Sequence, residues 1–243
     1  MNTRQSAAGE RRIPNALTIA GVDPSGGAGI LADVKAMSAL GAYGCAVIAA
    51  LTAQNTQGVT GISPVPPDFV GLQIDTLFTD VRIDAVKIGM LGQKPVIQVV
   101  AEKLAKWAPA HVVLDPVMVA KSGDLLLERE AVGAMREAML PQATLLTPNL
   151  PEAGVLLEER PVETVKEMRR VAERLRNKMA HSGQRWVMVK GGHLPGNETI
   201  DLLHDGLRTE ILDRPELQVH AERAALVGQA VLHAVGGARF QPA

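Results

Sequence analysis

The sequence predicts an α/β fold of three layers, a mostly parallel central sheet with helices on both faces. Two observations carry that expectation. Short β-branched or aliphatic runs alternate with longer stretches of helical period over most of the chain, which is the pattern of strand–helix–strand units. Most of the short runs (AVIAAL, HVVLD, WVMVK) are continuously apolar, as strands buried on both faces are. At 243 residues, 47% of them apolar, the chain is long enough to bury a sizeable core.

The elements follow in order. A strand is expected at 16–20, then a helix at 29–40 with Ile30, Val34, Met37 and Leu40 on one side. After a strand at 46–51, Pro66-Pro67-Asp68 opens a helix through 69–78, because proline is tolerated in a first helical turn. A strand at 84–88 precedes a helix at 94–107, where Val96, Val100 and Leu104 share a face. Strands at 111–115 and 144–147 lead to Asn149-Leu150-Pro151 and a helix with Glu152 in its first turn. A charged surface helix at 163–179, strands at 186–190 and 199–203, and a last helix at 221–235 complete the series. Without an internal repeat or a low-complexity linker, the reading is one domain over 15–243. A short flexible tail, 1–14, precedes it.

Several classes are disfavoured by composition. Twenty-five basic and 26 acidic side chains leave a net charge of −1, which lacks the footprint of a nucleic-acid binder. Six aromatic residues in all leave little for base stacking. Cys45 is the single cysteine, so no disulfide within the chain and no cysteine-rich zinc site is expected. The six histidines lack metal spacing. No run of about 18 apolar residues suggests a membrane span, and the N-terminus has no apolar signal region. The expectation is a cytoplasmic protein without nucleic-acid or membrane partners.

In open parallel sheets, ligands bind beyond the carboxyl ends of the strands. There the sequence places a glycine-rich stretch from Gly21 to Gly29, then Thr52 to Thr56, Gly89-Met90, Asp115 to Met118, Thr147 to Asn149, and Lys190 to His193. The first glycine loop lacks the Lys and Ser/Thr of a P-loop, since Ile30 and Leu31 follow Gly29. It fits a loose dinucleotide pattern, but no Asp or Glu occurs between Tyr43 and Thr60 to hold a ribose. Asp33 is either a solvated helix acid or a partner for an amino-bearing ligand. Asp115, Asn149 and Glu152 could hold Mg²⁺ through waters, although Glu152 could equally be a helix N-terminal charge. Lys190 with Gly191-Gly192 provides a cation and open backbone N–H groups for polyphosphate, so the set suggests phosphoryl transfer.

These residues, through NALTIAGVDPSGGAG, GAYGCAVIAALTAQNTQGV, DVRIDAVKIGMLG, VVLDPVMVAKSGDLLL, MLPQATLLTPNLPEA and WVMVKGGHLPG, resemble the hydroxymethylpyrimidine/phosphomethylpyrimidine kinases of thiamine biosynthesis. The resemblance runs from about Asn15 to Gly196 and implies a ribokinase-like fold. It implies that Gly21, Ala28, Asp33, Gln54, Met90 and Val117 bind the pyrimidine, with Asp33 and Gln54 reading ring nitrogens and the amino group. It implies that Asp115, Asn149, Glu152 and Lys190 serve ATP, and that Asp115 and Glu152 hold Mg²⁺ through water. It further implies transfer of the ATP γ-phosphate to the hydroxymethyl group and then to the monophosphate, and a homodimer.

One departure stands out. The family's Gly-Thr-Gly-Cys segment, which supplies an anion hole and a catalytic base, has no counterpart after Asp205-Gly206, and Gly236-Gly237 follows the expected last helix. The domain is therefore read as abbreviated after about 213, with no identifiable catalytic residue. A non-catalytic relative that binds pyrimidine is the alternative to the kinase, and pyridoxal is the rival alcohol.

Overall fold

The computed structural model describes residues 12–118, 129–192, 194 and 198–215. Most of the expected tail, His193, the last helix and the terminal glycines lie outside the described residues. The strands are β1 (Asn15–Val22), β2 (Tyr43–Gln54), β3 (Val59–Pro64), β4 (Ala85–Ile88), β5 (Val112–Leu114), β6 (Leu145–Leu146), β7 (Trp186–Lys190), β8 (Glu198–His204) and β9 (Thr209–Pro215). The helices are α1 (Gly29–Ala39), α2 (Pro67–Asp80), α3 (Lys94–Trp107), α4 (Arg129–Ala134), α5 (Leu150–Leu157) and α6 (Val165–Lys178). α4 runs on into a π turn over Met135–Met139 and a 3-10 turn over Leu140–Gln142.

All nine strands form one sheet in the order β3-β2-β1-β4-β5-β6-β7-β8-β9. The run from β2 through β7 is parallel, whereas β3, β8 and β9 pair antiparallel. Alternation along β1 divides the core. Leu17 and Ile19 join the large cluster with Val70 and Ile74 of α2 and with Val96 and Val100 of α3. Ala16 packs the other way, with Met37 of α1, Ala85 and Val113. Helices thus cover both faces, as a sheet of continuously apolar strands requires.

Two strands exceed the sequence reading. β3 pairs back on β2 through a turn in which the Asn55 side chain accepts from the N–H groups of Gln57 and Gly58. β9 pairs on β8 through Asp205-Gly206, where Asp205 accepts from Leu207 and Arg208 N–H and Gly206 has φ +98°. An Asp-Gly pair between two apolar runs is a hairpin signal, so residues 209–215 are strand rather than a lead into a helix. α4 and the turns after it were also unassigned, though Ala131, Met135 and Met139 fall four apart and are buried.

Candidate active site

The strand order reverses between β1 and β4, and a crevice opens at such a switch point. The loop after β1 is shaped by glycine. Gly29, at φ +57°, forms a bridge with Val22, and a Cβ there would lie 2.3 Å from the Gly21 carbonyl oxygen. Asp23 ties the loop by accepting from the Ser25 N–H at 2.8 Å and from its hydroxyl at 2.9 Å. Ala28 precedes α1 in extended conformation. A Cβ on Gly21 would meet Met90 Cε at 2.7 Å, so Met90 lies against the end of β1. Thr52 Oγ1 bonds to the Val22 carbonyl at 2.8 Å and to Gln54 Oε1 at 3.2 Å. Gly21, Ala28, Gln54 and Met90 therefore gather at the ends of β1, β2 and β4. Gln54 is the last residue of β2 itself rather than part of a loop beyond it.

Asp33 is not a solvated helix acid. Its side chain is 9% exposed, and Oδ2 accepts from Thr18 Oγ1 at 2.6 Å and from Lys87 Nζ at 2.8 Å. Thr18 on β1 and Lys87 on β4 are opposite each other in register, so two strands and a helix meet at this carboxylate.

The second group lies at the ends of β5, β6 and β7. Asp115 follows β5 and is anchored by its N–H to the Ile88 carbonyl at 3.0 Å. Its Oδ1 accepts from Lys190 Nζ at 2.7 Å and from Thr147 Oγ1 at 3.1 Å. Burial pushes the Asp115 carboxyl up, but the Lys190 and Lys87 charges and the bonds from Lys190 and Thr147 outweigh it, and the group sits below the usual carboxylate range. Asn149 caps α5: its side chain accepts from Glu152 N–H, while Glu152 Oε2 accepts from Asn149 N–H, each at 2.8 Å. This is a capping box. Burial pushes the Glu152 carboxyl up to about 7; Lys190 opposes this and the Asp115 charge adds to it. Of the two readings of Glu152, the helix-terminal one is met by the box, and the side chain also belongs to the Asp115–Lys190 cluster. Val117, whose N–H donates to the Asp115 carbonyl at 2.8 Å, stands on the same loop.

Among the described residues, no group of three or more His, Cys, Asp or Glu could cage a metal. Two carboxylates are nevertheless what Mg²⁺ uses when it keeps several waters and completes its shell with substrate phosphates. The donor set fits that ion.

Three residues were missed by sequence reasoning. Lys87 and Thr18 are polar members of otherwise apolar runs, AVKI and NALTIAGV, and both are buried; a charge inside a continuous apolar strand was the available signal. Asp201, also buried, accepts from Gly191 N–H at 3.0 Å. It steadies the turn after Lys190, where a Cβ on Gly191 would lie 1.9 Å from the Ile200 carbonyl oxygen.

Comparison with known proteins identifies the family and the fold. The family profile described as phosphomethylpyrimidine kinase matches residues 23–223. A hydroxymethylpyrimidine/phosphomethylpyrimidine kinase of Escherichia coli is 53% identical over 189 residues, covering 78% of this chain and 70% of that protein. The crystal structure of a phosphomethylpyrimidine kinase from Clostridium difficile is 37% identical with a TM-score of 0.79, covering 91% of this chain and 94% of the other. A Bacillus subtilis pyridoxal kinase, solved as an ADP complex, is 31% identical with a TM-score of 0.83, covering 94% and 86%.

Proposed function

Since the chain belongs to the phosphomethylpyrimidine kinase family, we propose that it phosphorylates 4-amino-5-hydroxymethyl-2-methylpyrimidine and then its monophosphate, using ATP, in thiamine biosynthesis. In the first step the hydroxymethyl oxygen bonds to the γ-phosphorus, the bond from that phosphorus to the bridging oxygen breaks, and ADP leaves. In the second, a phosphate oxygen of the monophosphate is the nucleophile. The observation that carries the reading is the meeting of two unlike residue groups at one sheet edge. One group is neutral with a buried carboxylate, and the other is two carboxylates around Lys190.

In this reading, Asp33 accepts from the pyrimidine amino group, and the Gln54 side-chain amide donates to a ring nitrogen. Gly21 and Ala28 keep the loop close enough for contact, and Met90 and Val117 pack on the ring. Lys190 receives the phosphate charge, and Asn149 holds the start of α5 and Glu152 in place. Asp115 and Glu152 would hold Mg²⁺ through its waters. Bound there, the ion would neutralise charge on the transferring phosphoryl group. The residue that takes the hydroxyl proton is not among those assigned, because the family's Gly-Thr-Gly-Cys segment is absent from 205–243. A homodimer and a cytoplasmic location go with the reading; exposed Leu51, Ile62, Phe69 and Leu72 on β2, β3 and α2 support the former.

The test is ATP-dependent phosphorylation of the pyrimidine alcohol followed by ³¹P NMR, with pyridoxal in parallel and Asp115→Ala as control. Phosphorylated pyrimidine that disappears in the control is the expected result. No product from protein that still binds the pyrimidine would favour the binding-only relative, for which the absent segment speaks. Product from pyridoxal alone would reassign the alcohol.

A further inference from the structure

A lysine inside a sheet is a poor stabilising device. All four residues of β4 are buried, and Lys87 is the charged one. Desolvating an ammonium and a carboxylate offsets much of their attraction, and apolar replacements of such pairs are often as stable. The place of this pair is more telling than its strength. Thr18 and Lys87 face each other across the β1–β4 boundary, where strand order reverses and the ligand crevice lies. Lys87 reaches along its strand towards the carboxyl edge, since a Cβ on Gly89 would come within 2.9 Å of its Nζ.

We propose that Lys87 is a positioning residue for pyrimidine recognition, holding Asp33 as an oriented anion that accepts from the ligand's amino N–H. This rests on the role given to Asp33 above. Both internal donors, the Thr18 hydroxyl and the Lys87 ammonium, bond to Oδ2, which sets the plane of the carboxylate. An ionised carboxylate has about four acceptor positions, so two bonds leave capacity for a ligand. Without Lys87 the carboxylate would be an uncompensated buried charge. It would turn towards water, and that turn removes the oriented acceptor.

The experiment is calorimetric titration of three ligands: the pyrimidine alcohol, its analogue without the 4-amino group, and ATP. They are titrated into the parent chain and into Asp33→Asn, Lys87→Met and Thr18→Val. Lys87→Met is expected to weaken the pyrimidine about 10-fold or more and erase the preference for the amino-bearing ligand, as loss of a charge-assisted bond would, while ATP, which Lys87 reaches only through its charge on Asp115, weakens distinctly less. Equal weakening of all three ligands would mean a packing role and overturn the proposal. If Asp33→Asn leaves pyrimidine affinity unchanged, the site reading itself fails. If Asp33→Asn weakens the pyrimidine and Lys87→Met does not, the positioning role alone fails. Should Lys87→Met not fold, Thr18→Val decides: a selective loss of pyrimidine affinity supports the proposal, and no change overturns it.

Discussion

Asp33 and Lys190 are both partners in ion pairs, yet the proposed function gives them different ligands, and substitution separates them. Asp33→Ala is expected to weaken pyrimidine binding and leave ATP binding intact; equal loss of both would mark a folding defect instead. Lys190→Ala should do the reverse, lowering nucleotide affinity about 10- to 100-fold, the worth of hydrogen bonds to a charged group. Unchanged nucleotide affinity, measured by calorimetry, would remove Lys190 from the phosphate site. These two residues were legible because each is polar beside a strand or a glycine loop. Lys87 was not, because an isolated lysine in a sequence has a solvent-facing default, and its burial follows only from having β1 on one side and β5 on the other.

Secondary-structure elements here are joined by specific side chains as well as by apolar packing. Asp75 of α2 is held by Lys103, Lys106 and Trp107 of α3, and those bonds, that from Lys103 foremost, keep its carboxyl well below the usual range. A depressed folded-state value means stability that is present above the ordinary carboxylate pKa of about 3.9 and lost as the pH falls below it. Asp75→Asn should therefore lower the urea midpoint at pH 7, with the difference from the parent chain shrinking by pH 3; a difference independent of pH would exclude the ion pairs as its cause. At the start of α5, Asn149→Ala breaks the capping box and should cost about 1 kcal/mol of stability, read as a lower thermal midpoint. Helix boundaries such as 94–107 and the α5 start could be read from periodicity and proline. The β2–β3 and β8–β9 hairpins were missed because neither Asn55 to Gly58 nor Asp205-Gly206 was read as a turn.

For the molecule as a whole, ligands that bind the folded chain alone raise its melting temperature, by about 2.7 kcal/mol of stability at 100 times the dissociation constant. The pyrimidine and ATP should each produce a shift, and Asp33→Asn should abolish the first and retain the second. Loss of both shifts in that variant would mean that the two residue groups are not separate sites. No helix among the described residues is long and apolar enough to cross a membrane.

The sequence by itself determined the fold class, the parallel run of strands and the family. Those depend on local period and on contiguous motifs, which a linear chain carries intact. It also nominated Asp115, Asn149, Glu152 and Lys190, since strand ends can be recognised from the runs that precede them. Only the tertiary structure decided which of these pair. Lys190 and Asp115 are 75 positions apart and Lys87 and Asp33 are 54 apart; the first pair meets because strand order brings the ends of β5 and β7 close, the second because α1 lies against the paired β1 and β4. The shift of Glu152 has the same origin: burial and the neighbouring Asp115 and Lys190 charges act through space, and no local pattern encodes them.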